Sequence, residues 1–178
     1  MFNLATAKTR LGITDNSKDA AVSGALSAAL GIAERFCDRL LSFGTETSSF
    51  YNFVGDTLFL PRYPIQDVLS TTGILNYKVH HRLGIIELDA IVSASEITIS
   101  YSGGYRVYPA DLELALWGIF DQVYPAIGGT SADDVESVSI PDVGTIKYRA
   151  SNSALAGINA NVLGTFAGIL ETYRRLTC

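Results

Sequence analysis

The period of the hydrophobic residues changes twice along the chain, and this pattern constrains the fold more than any other feature. Residues 17–41 carry apolar side chains at steps of three and four, which is typical of one helix face. Residues 45–105 alternate with a period of two and are rich in β-branched and aromatic residues, which favours strands. The helical period returns in residues 109–125 and 153–176. The sequence therefore predicts an α+β fold in which three main helices form a small bundle with an inserted antiparallel β region.

The β region is predicted to contain short strands joined by short turns. Pro61 and Pro64 limit ladder pairing, so we expect the stretch around them at a strand edge or a bend. Residues 130–150 are predicted as an acidic loop followed by a short extended segment. At 178 residues the chain is expected to form one domain, residues 1–178. The predicted strands are Thr47–Val54, Thr57–Leu60, Asp67–Thr71, Tyr77–His80, Ile85–Leu88 and Glu96–Tyr101.

The first long helix combines an apolar face with a row of small residues. We expect Asp15, Asn16 and Ser17 to cap it, since short polar side chains accept hydrogen bonds from the first helical N–H groups. Glycine costs about 1 kcal/mol relative to alanine inside a helix, so something must offset the cost. Either tight packing inside the subunit or a helix–helix seam between subunits would do so. The predicted buried face is Val22, Leu26, Ala29, Ala33, Phe36 and Leu40, and the candidate interface residues are Gly24, Ala28 and Gly31.

The charge of the chain argues against tight binding to nucleic acid. There are 13 Lys and Arg against 18 Asp and Glu, which gives a net charge of −5, and no basic run occurs. Affinity for duplex DNA comes mainly from basic side chains that displace counterions from phosphates. Residues 107–146 contain seven carboxylates and no basic residue, among them Asp133, Asp134 and Glu136. This segment is either a solvated face or one half of a complementary contact between subunits.

The motifs of common catalytic and metal sites are missing from the sequence. His80 and His81 are adjacent and should point to opposite sides of a strand, so they do not favour one metal site. Cys37 and Cys178 have no zinc-ligand spacing, and we expect both to be reduced thiols. We predict no catalytic, cofactor or metal site, and an enzyme is the least supported class.

Membrane insertion and secretion are also not expected. The longest stretch of small apolar residues, Gly24–Ala33, is much shorter than a membrane span, and we expect no secretory signal. We therefore expect the protein to be made in the cytosol. The exposed aromatics of a β module could instead bind glycans, although core packing is the simpler interpretation of these side chains. They are Phe50, Tyr51, Phe53, Phe59, Tyr63 and Tyr77.

Five segments, in this order, resemble the head–tail connector (adaptor) proteins of tailed bacteriophages. They are LFLPRYPI at 58–65, ITISYSGGY at 97–105, PADLELAL at 109–116, VESVSIPDVGTIKY at 135–148 and YRRL at 173–176. The resemblance implies a structural virion protein in the phage neck that forms a homo-oligomeric ring, typically of twelve copies. It implies a portal protein on one side, a stopper or tail protein on the other, and double-stranded DNA passing through without tight binding.

Several site assignments and one alternative follow from this resemblance. We expect Asp133, Asp134 and Glu136 to lie toward the lumen or the lower rim, where carboxylates do not neutralise phosphates. We expect the portal contact to use the end of the last helix, with Arg174, Arg175 and Cys178. The β insert is longer than the simple hairpin of the smallest relatives. The alternative within the same class is another neck or tail protein, such as a stopper or tail-completion protein.

Overall fold

The computed structural model describes residues 1–126, 137–140, 144–147 and 166–175, the two short middle segments for their backbone only. Two compact units are present. The first, unit 1, combines Met1–Ala33 with Pro109–Tyr173, and the second, unit 2, combines Glu34–Tyr108 with Arg174–Cys178. The chain therefore passes between the units three times, and neither unit is a continuous segment of sequence.

Unit 1 is helical. Helix α1 spans Leu4–Leu11, α2 begins at Asp19 and ends at Cys37, α3 spans Ala110–Ala126, and a last helical segment, α4, covers residues 166–171. The side chain of Asn3 accepts a 2.9 Å hydrogen bond from the N–H of Thr6, and Gly12 ends α1 with a φ of +68°. The two structure classes predicted from the sequence, helices and antiparallel strands, are confirmed.

Helix α2 is shorter than the predicted 17–41 at both ends. Asp38 adopts a φ of +51°, which a continuing helix does not allow, and Leu40 instead forms a β-bridge with Arg62. At the other end, Asp15 accepts a 2.9 Å hydrogen bond from the N–H of Ser17 and closes a turn before the helix. The fully buried residues of α2 are Val22, Ala25, Ala29, Ala33 and Cys37, so Leu26 and Phe36 of the predicted face are only partly buried.

Helix α3 agrees closely with its prediction. Its first residue is Ala110, and the carbonyl of Pro109 accepts a 2.8 Å hydrogen bond from the N–H of Glu113. Pro125 lies inside the last turn instead of ending the helix one residue earlier. Aromatic rings of Phe2, Trp117 and Phe120 pack edge to face beside it. The predicted apolar face is buried in full: Leu112, Leu116, Ile119, Phe120 and Val123.

Unit 2 contains one four-stranded antiparallel sheet. Strand β1 spans Gly44–Phe59, β2 Ile65–Thr72, β3 Tyr77–His80 and β4 Ile85–Gly103. The central strand is β4, with β1 on one side and both β2 and β3 on the other. The prediction of Tyr77–His80 is confirmed, and Pro61 and Pro64 lie at the bend between β1 and β2 as expected.

The prediction of six short strands is wrong in one respect. Thr47–Val54 and Thr57–Leu60 belong to one strand, and so do Ile85–Leu88 and Glu96–Tyr101. Each long strand tolerates irregular residues because its partner continues the ladder: β1 passes Asn52 at a φ of +50°, and the register shifts between Gly55 and Thr57. These irregularities interrupt the period-two pattern without ending the strand.

The core of unit 2 is built from the sheet and its connections. Tyr63 belongs to it, and Phe50, Phe53 and Tyr77 pack against it, which agrees with the core interpretation of these aromatics. Tyr51 is the exception, because it is 69% exposed. The buried residues are Leu58, Leu60, Tyr63, Ile65, Ile74, Ile86, Leu88, Ile97, Ile99 and Tyr101.

Two further strands lie in the segment predicted as an acidic loop with a short extended piece. Strand β5, Ser137–Ile140, pairs antiparallel with β6, Gly144–Lys147. The extended piece is thus confirmed, while β5 replaces part of the predicted loop, consistent with the alternation of Val138 and Ile140 in the sequence.

The helix predicted to reach residue 176 ends at 171, since the N–H groups of Thr172 and Tyr173 bond the carbonyls of Ile169 and Leu170 in tight turns. Its predicted beginning, 153–165, lies outside the described residues.

Candidate assembly surfaces

The small residues of α2 lie on its outer surface. Gly24 and Gly31 are exposed and Ala28 is half-buried. A Cβ atom built on either glycine would have no described atom within 4 Å. At about 100° per residue, this row lies roughly opposite the buried row of Val22 and Ala29. Packing within the described part of the subunit therefore does not explain the two glycines, and the alternative of a seam between subunits remains.

Helix α2 is also long and apolar enough, by length and composition, to cross a membrane. It has 19 residues, and the mean hydropathy of its most apolar window is 1.2. The sequence expectation considered only the shorter stretch Gly24–Ala33 and so missed this property. Core helices of soluble proteins, which are mostly buried, and signal sequences near the N-terminus pass the same test, and 28% of this window is buried in the described structure.

Glu34 and Arg62 hold the segment that leads into the sheet. One oxygen of Glu34, Oε1, accepts hydrogen bonds from the N–H groups of Leu41 at 2.8 Å and Ser42 at 3.2 Å. The guanidinium of Arg62 donates to the carbonyl of Ser42 and, at 3.4 Å, to Glu46. Two charged side chains thus fix the backbone of residues 41–42 between α2 and β1, where no regular ladder satisfies it.

A buried arginine lies beside this segment. Arg39 is only 7% exposed, and its guanidinium carbon lies 3.8 Å from the ring centroid of Tyr63. Its Nη2 donates a 3.1 Å hydrogen bond to the hydroxyl of Tyr105. Aromatic faces and a hydroxyl together stabilise a cation that would otherwise be costly to bury. Elsewhere in unit 2, burial raises the pKa of the hydroxyls of Tyr101 and Tyr108.

The two candidate portal-contact arginines have different surroundings. Arg174 is exposed. Arg175 is half-buried, its N–H bonds the carbonyl of Cys37 at 2.8 Å, and its guanidinium donates to the carbonyl of Phe59 at 3.3 Å. Arg175 therefore contributes to the structure of unit 2, and Arg174 is the more exposed residue of the pair. Cys178 lies outside the described residues, as do Asp133, Asp134 and Glu136.

One face of the sheet carries short hydroxyl side chains in three neighbouring strands. Thr47 on β1 and Ser70 on β2 both pair with Ser100 of β4, and Ser49 and Thr72 both pair with Thr98. Hydroxyl oxygens of Thr47 and Ser100 lie 2.8 Å apart. Carboxylates border these hydroxyls on the same face, because Asp67 pairs with Ser102 and the Thr98 hydroxyl lies 3.5 Å from a carboxylate oxygen of Glu96.

The two histidines have separate partners. His80 Nε2 lies 2.7 Å from Glu87, and His81 Nδ1 lies 2.9 Å from the carbonyl oxygen of Ile65. Within the described ranges, no group of three or more His, Cys, Asp or Glu side chains is placed to hold a metal ion.

The sequence analysis did not single out Glu34, Arg39 or Arg62 as important residues. Their roles depend on partners 7 to 66 residues away, which spacing along the chain does not reveal. The one available signal was that Arg62 lies within the segment LFLPRYPI, which carries the family resemblance.

Comparison with known proteins identifies the fold through solved structures alone, since no protein-family model and no curated protein matches the sequence. A chain in the neck of an empty gene transfer agent (GTA) particle, computed with C6 symmetry, is similar with a TM-score of 0.60 and 17% identity over 98% of this chain and 90% of that chain. A chain in the neck of the native particle, computed with C12 symmetry, has a TM-score of 0.53 and 16% identity over 98% of this chain and 90% of that chain. A chain in the virion of the native GTA particle has a TM-score of 0.54 and 14% identity over 91% of this chain and 80% of that chain. At these identities the similarity establishes a shared fold.

Proposed function

We propose that this chain is a structural subunit of the neck of a tailed-phage-like particle, where it acts as a head–tail connector (adaptor). The observation that carries the proposal is the fold similarity to chains of a GTA neck, which covers nearly all of this chain and of theirs. The five ordered segments that resemble connector proteins support the same role independently of the fold. The proposed role is architectural and not catalytic.

In this role the chain forms a homo-oligomeric ring. The C6 and C12 symmetries of the similar neck structures favour a ring of that order, and twelve copies agree with the resemblance. The ring contacts the portal protein on one side and a stopper or tail protein on the other, and double-stranded DNA passes through its lumen. The charge of −5 fits a passage that does not grip DNA.

Imaging of particles tests this proposal directly. Particles of the phage-like element that encodes the chain would be purified and their necks reconstructed without imposed symmetry. We expect a ring of this chain between portal and tail, with its copy number read from the density. Its absence from purified particles, or a position away from the neck axis, would refute the proposal.

The acidic residues Asp133, Asp134 and Glu136 are proposed to lie toward the lumen or lower rim. Replacing all three by Lys should impair DNA packaging or ejection without preventing ring assembly, because the added cations bind phosphates and slow the passage. The matched control, Asp133→Asn with Asp134→Asn and Glu136→Gln, removes charge without adding cations and should have a much smaller effect. Packaged DNA per particle and infectivity or gene transfer are the measurements. A higher salt concentration should relieve a defect of this electrostatic kind. Unaltered infectivity or gene transfer by the Lys variant would contradict the proposed position of these residues.

A further inference from the structure

Gly118, in the middle of helix α3, lies directly against the last helical segment. A Cβ atom built on Gly118 would overlap the ring of Phe166, the first residue of α4. By contrast, a Cβ atom on the exposed Gly168 of α4 would have no described atom within 4 Å. Glycine costs about 1 kcal/mol relative to alanine inside a helix, and the close approach of the ring offsets that cost. Gly118 therefore forms a notch that receives the Phe166 ring.

A second contact joins the same two segments. The hydroxyl of Tyr173 donates a 2.7 Å hydrogen bond to Asp111 in the first turn of α3. Asp111 and Gly118 are seven residues apart in α3. Phe166 and Tyr173 are also seven residues apart, so about two helical turns separate the two contacts. Because the partners occur in reverse order, α4 runs antiparallel to α3. All four residues belong to unit 1.

The residue between these contacts is buried on the same side. Leu170 is fully buried, and it follows Phe166 by four residues and precedes Tyr173 by three. Spacings of three and four place side chains on one helix face. A hydrogen bond between hydroxyl and carboxylate oxygens weakens beyond about 3.0 Å, so the bond to Asp111 tolerates little displacement. The notch and this bond together fix the register of α4 along α3.

This register sets where the C-terminal segment begins. Arg174 follows Tyr173 directly, and the N–H of Arg175 bonds the carbonyl of Cys37 at 2.8 Å. Arg174 thus lies between two residues that are held by hydrogen bonds, and its side chain is exposed. A side chain that is positioned before its partner arrives binds more tightly, because less freedom is lost on binding.

We propose that Gly118 is a positioning residue for the partner contact at the C-terminal end: by receiving Phe166 it sets the register of α4 and so holds Arg174 in place. This inference rests on the proposed function, because it takes the partner of Arg174 to be the portal protein. Gly118 itself does not touch the partner. Its effect passes through Phe166 and Tyr173.

An NMR titration of the Asp111 carboxyl in the free, full chain tests the register. The bond from Tyr173 holds the pKa of this carboxyl below its ordinary value of 3.8. Gly118→Ala should raise this pKa toward 3.8, because the methyl group displaces the Phe166 ring and α4 with it. Adding Phe166→Leu should restore the lowered pKa, since leucine lacks the ring atoms Cζ, Cε1 and Cε2 that approach Gly118 most closely.

Co-sedimentation with purified portal rings tests the effect on binding. Gly118→Ala should lower the affinity about tenfold, and the double variant with Phe166→Leu should recover it. Gly168→Ala is the matched control, because it adds the same methyl group to α4 where no described atom lies within 4 Å. It should change neither the pKa of Asp111 nor the binding. Thermal unfolding shows that each variant is folded at the temperature of the measurements.

The outcomes separate the positioning role from the function on which it rests. A Gly118→Ala chain with an unchanged pKa of Asp111, or one that binds portal rings normally although this pKa has risen, would overturn the positioning role alone. So would a double variant that recovers neither property, since the defect would then not pass through the Phe166 ring. If the unmodified chain does not bind portal rings, the portal contact is refuted and the positioning role fails with it.

Discussion

At the scale of single residues, one hydrogen bond makes stability depend on pH. The hydroxyl of Tyr173 donates a 2.7 Å hydrogen bond to Asp111 in the first turn of α3, and this bond is the main cause that lowers the pKa of Asp111 below its ordinary value of 3.8. A carboxyl whose pKa is lower in the folded state stabilises the fold above its unfolded pKa, and that contribution is lost as pH falls through the folded value.

Replacing Tyr173 by Phe should therefore lower the unfolding temperature at neutral pH, and the difference from the unmodified chain should shrink as Asp111 becomes protonated. The expected loss is below about 1 kcal/mol, because the bond lies at the surface. Thermal unfolding across the acid range measures it. Tyr51→Phe is the control, since it removes a hydroxyl from an exposed ring and should have no effect at any pH. A difference for Tyr173→Phe that does not change with pH would show that packing, and not the ionised carboxylate, is responsible.

Residue roles could be predicted from the sequence where the relevant partner is local. The buried face of α3, including Leu112 and Phe120, follows from periodicity, because the helix repeat decides which side chains share a face. The burial of Arg39 against Tyr63 and Tyr105 could not be predicted, since it depends on contacts within unit 2 between residues far apart in the sequence. Long-range contacts of this kind are set by tertiary packing, which the local periodicity of the sequence does not reveal.

At the scale of elements, period-two alternation identified the sheet region but not the continuity of its strands. Positive φ at Asn52 and the register shift near Asp56 break the alternation, yet β1 and β4 support each other across these points. Strand length is therefore a property of the pair. This is also why the length of β1 and β4 was not expected.

The outer row of α2 yields a test at the same scale. Gly24→Ala and Gly31→Ala should each stabilise the subunit by up to about 1 kcal/mol, because alanine has the higher helix propensity and the described surroundings leave room for a Cβ. Urea unfolding measures this gain. The matched pair Gly24→Leu and Gly31→Leu should also fold, yet lower the copy number per particle if a neighbouring helix packs closely on this row. A normal copy number per particle for both Leu variants would show that this row does not lie in an interface between subunits.

At the scale of the whole molecule, charge is divided along the sequence in a way that suits an assembly with two different ends. The charged side chains of residues 107–146 are all carboxylates. The final segment has a positive balance, which comes from Lys147, Arg149, Arg174 and Arg175. Three of the carboxylates have partners in unit 1, since Glu113 binds the N-terminal ammonium, Asp121 binds Arg10 and Asp111 accepts from Tyr173. Charges of opposite sign in different segments favour ordered contacts with different partners over random association where they reach the surface. The proposed partners, a portal on one side and a stopper or tail protein on the other, fit this division.

The C-terminal arginines allow partner binding to be separated from folding. Arg175→Glu should destabilise the chain by about 1–2 kcal/mol, since it removes the donor to the carbonyl of Phe59. Arg174→Glu changes the same charge at an exposed position and should lower the unfolding temperature less than Arg175→Glu, while weakening binding to purified portal rings, as measured by co-sedimentation. Arg82→Glu, an exposed control in unit 2, should bind normally. Full binding by Arg174→Glu would dismiss the portal contact at this end of the chain. A loss confined to Arg175→Glu would trace the defect to the fold, because that side chain is already engaged within its own subunit.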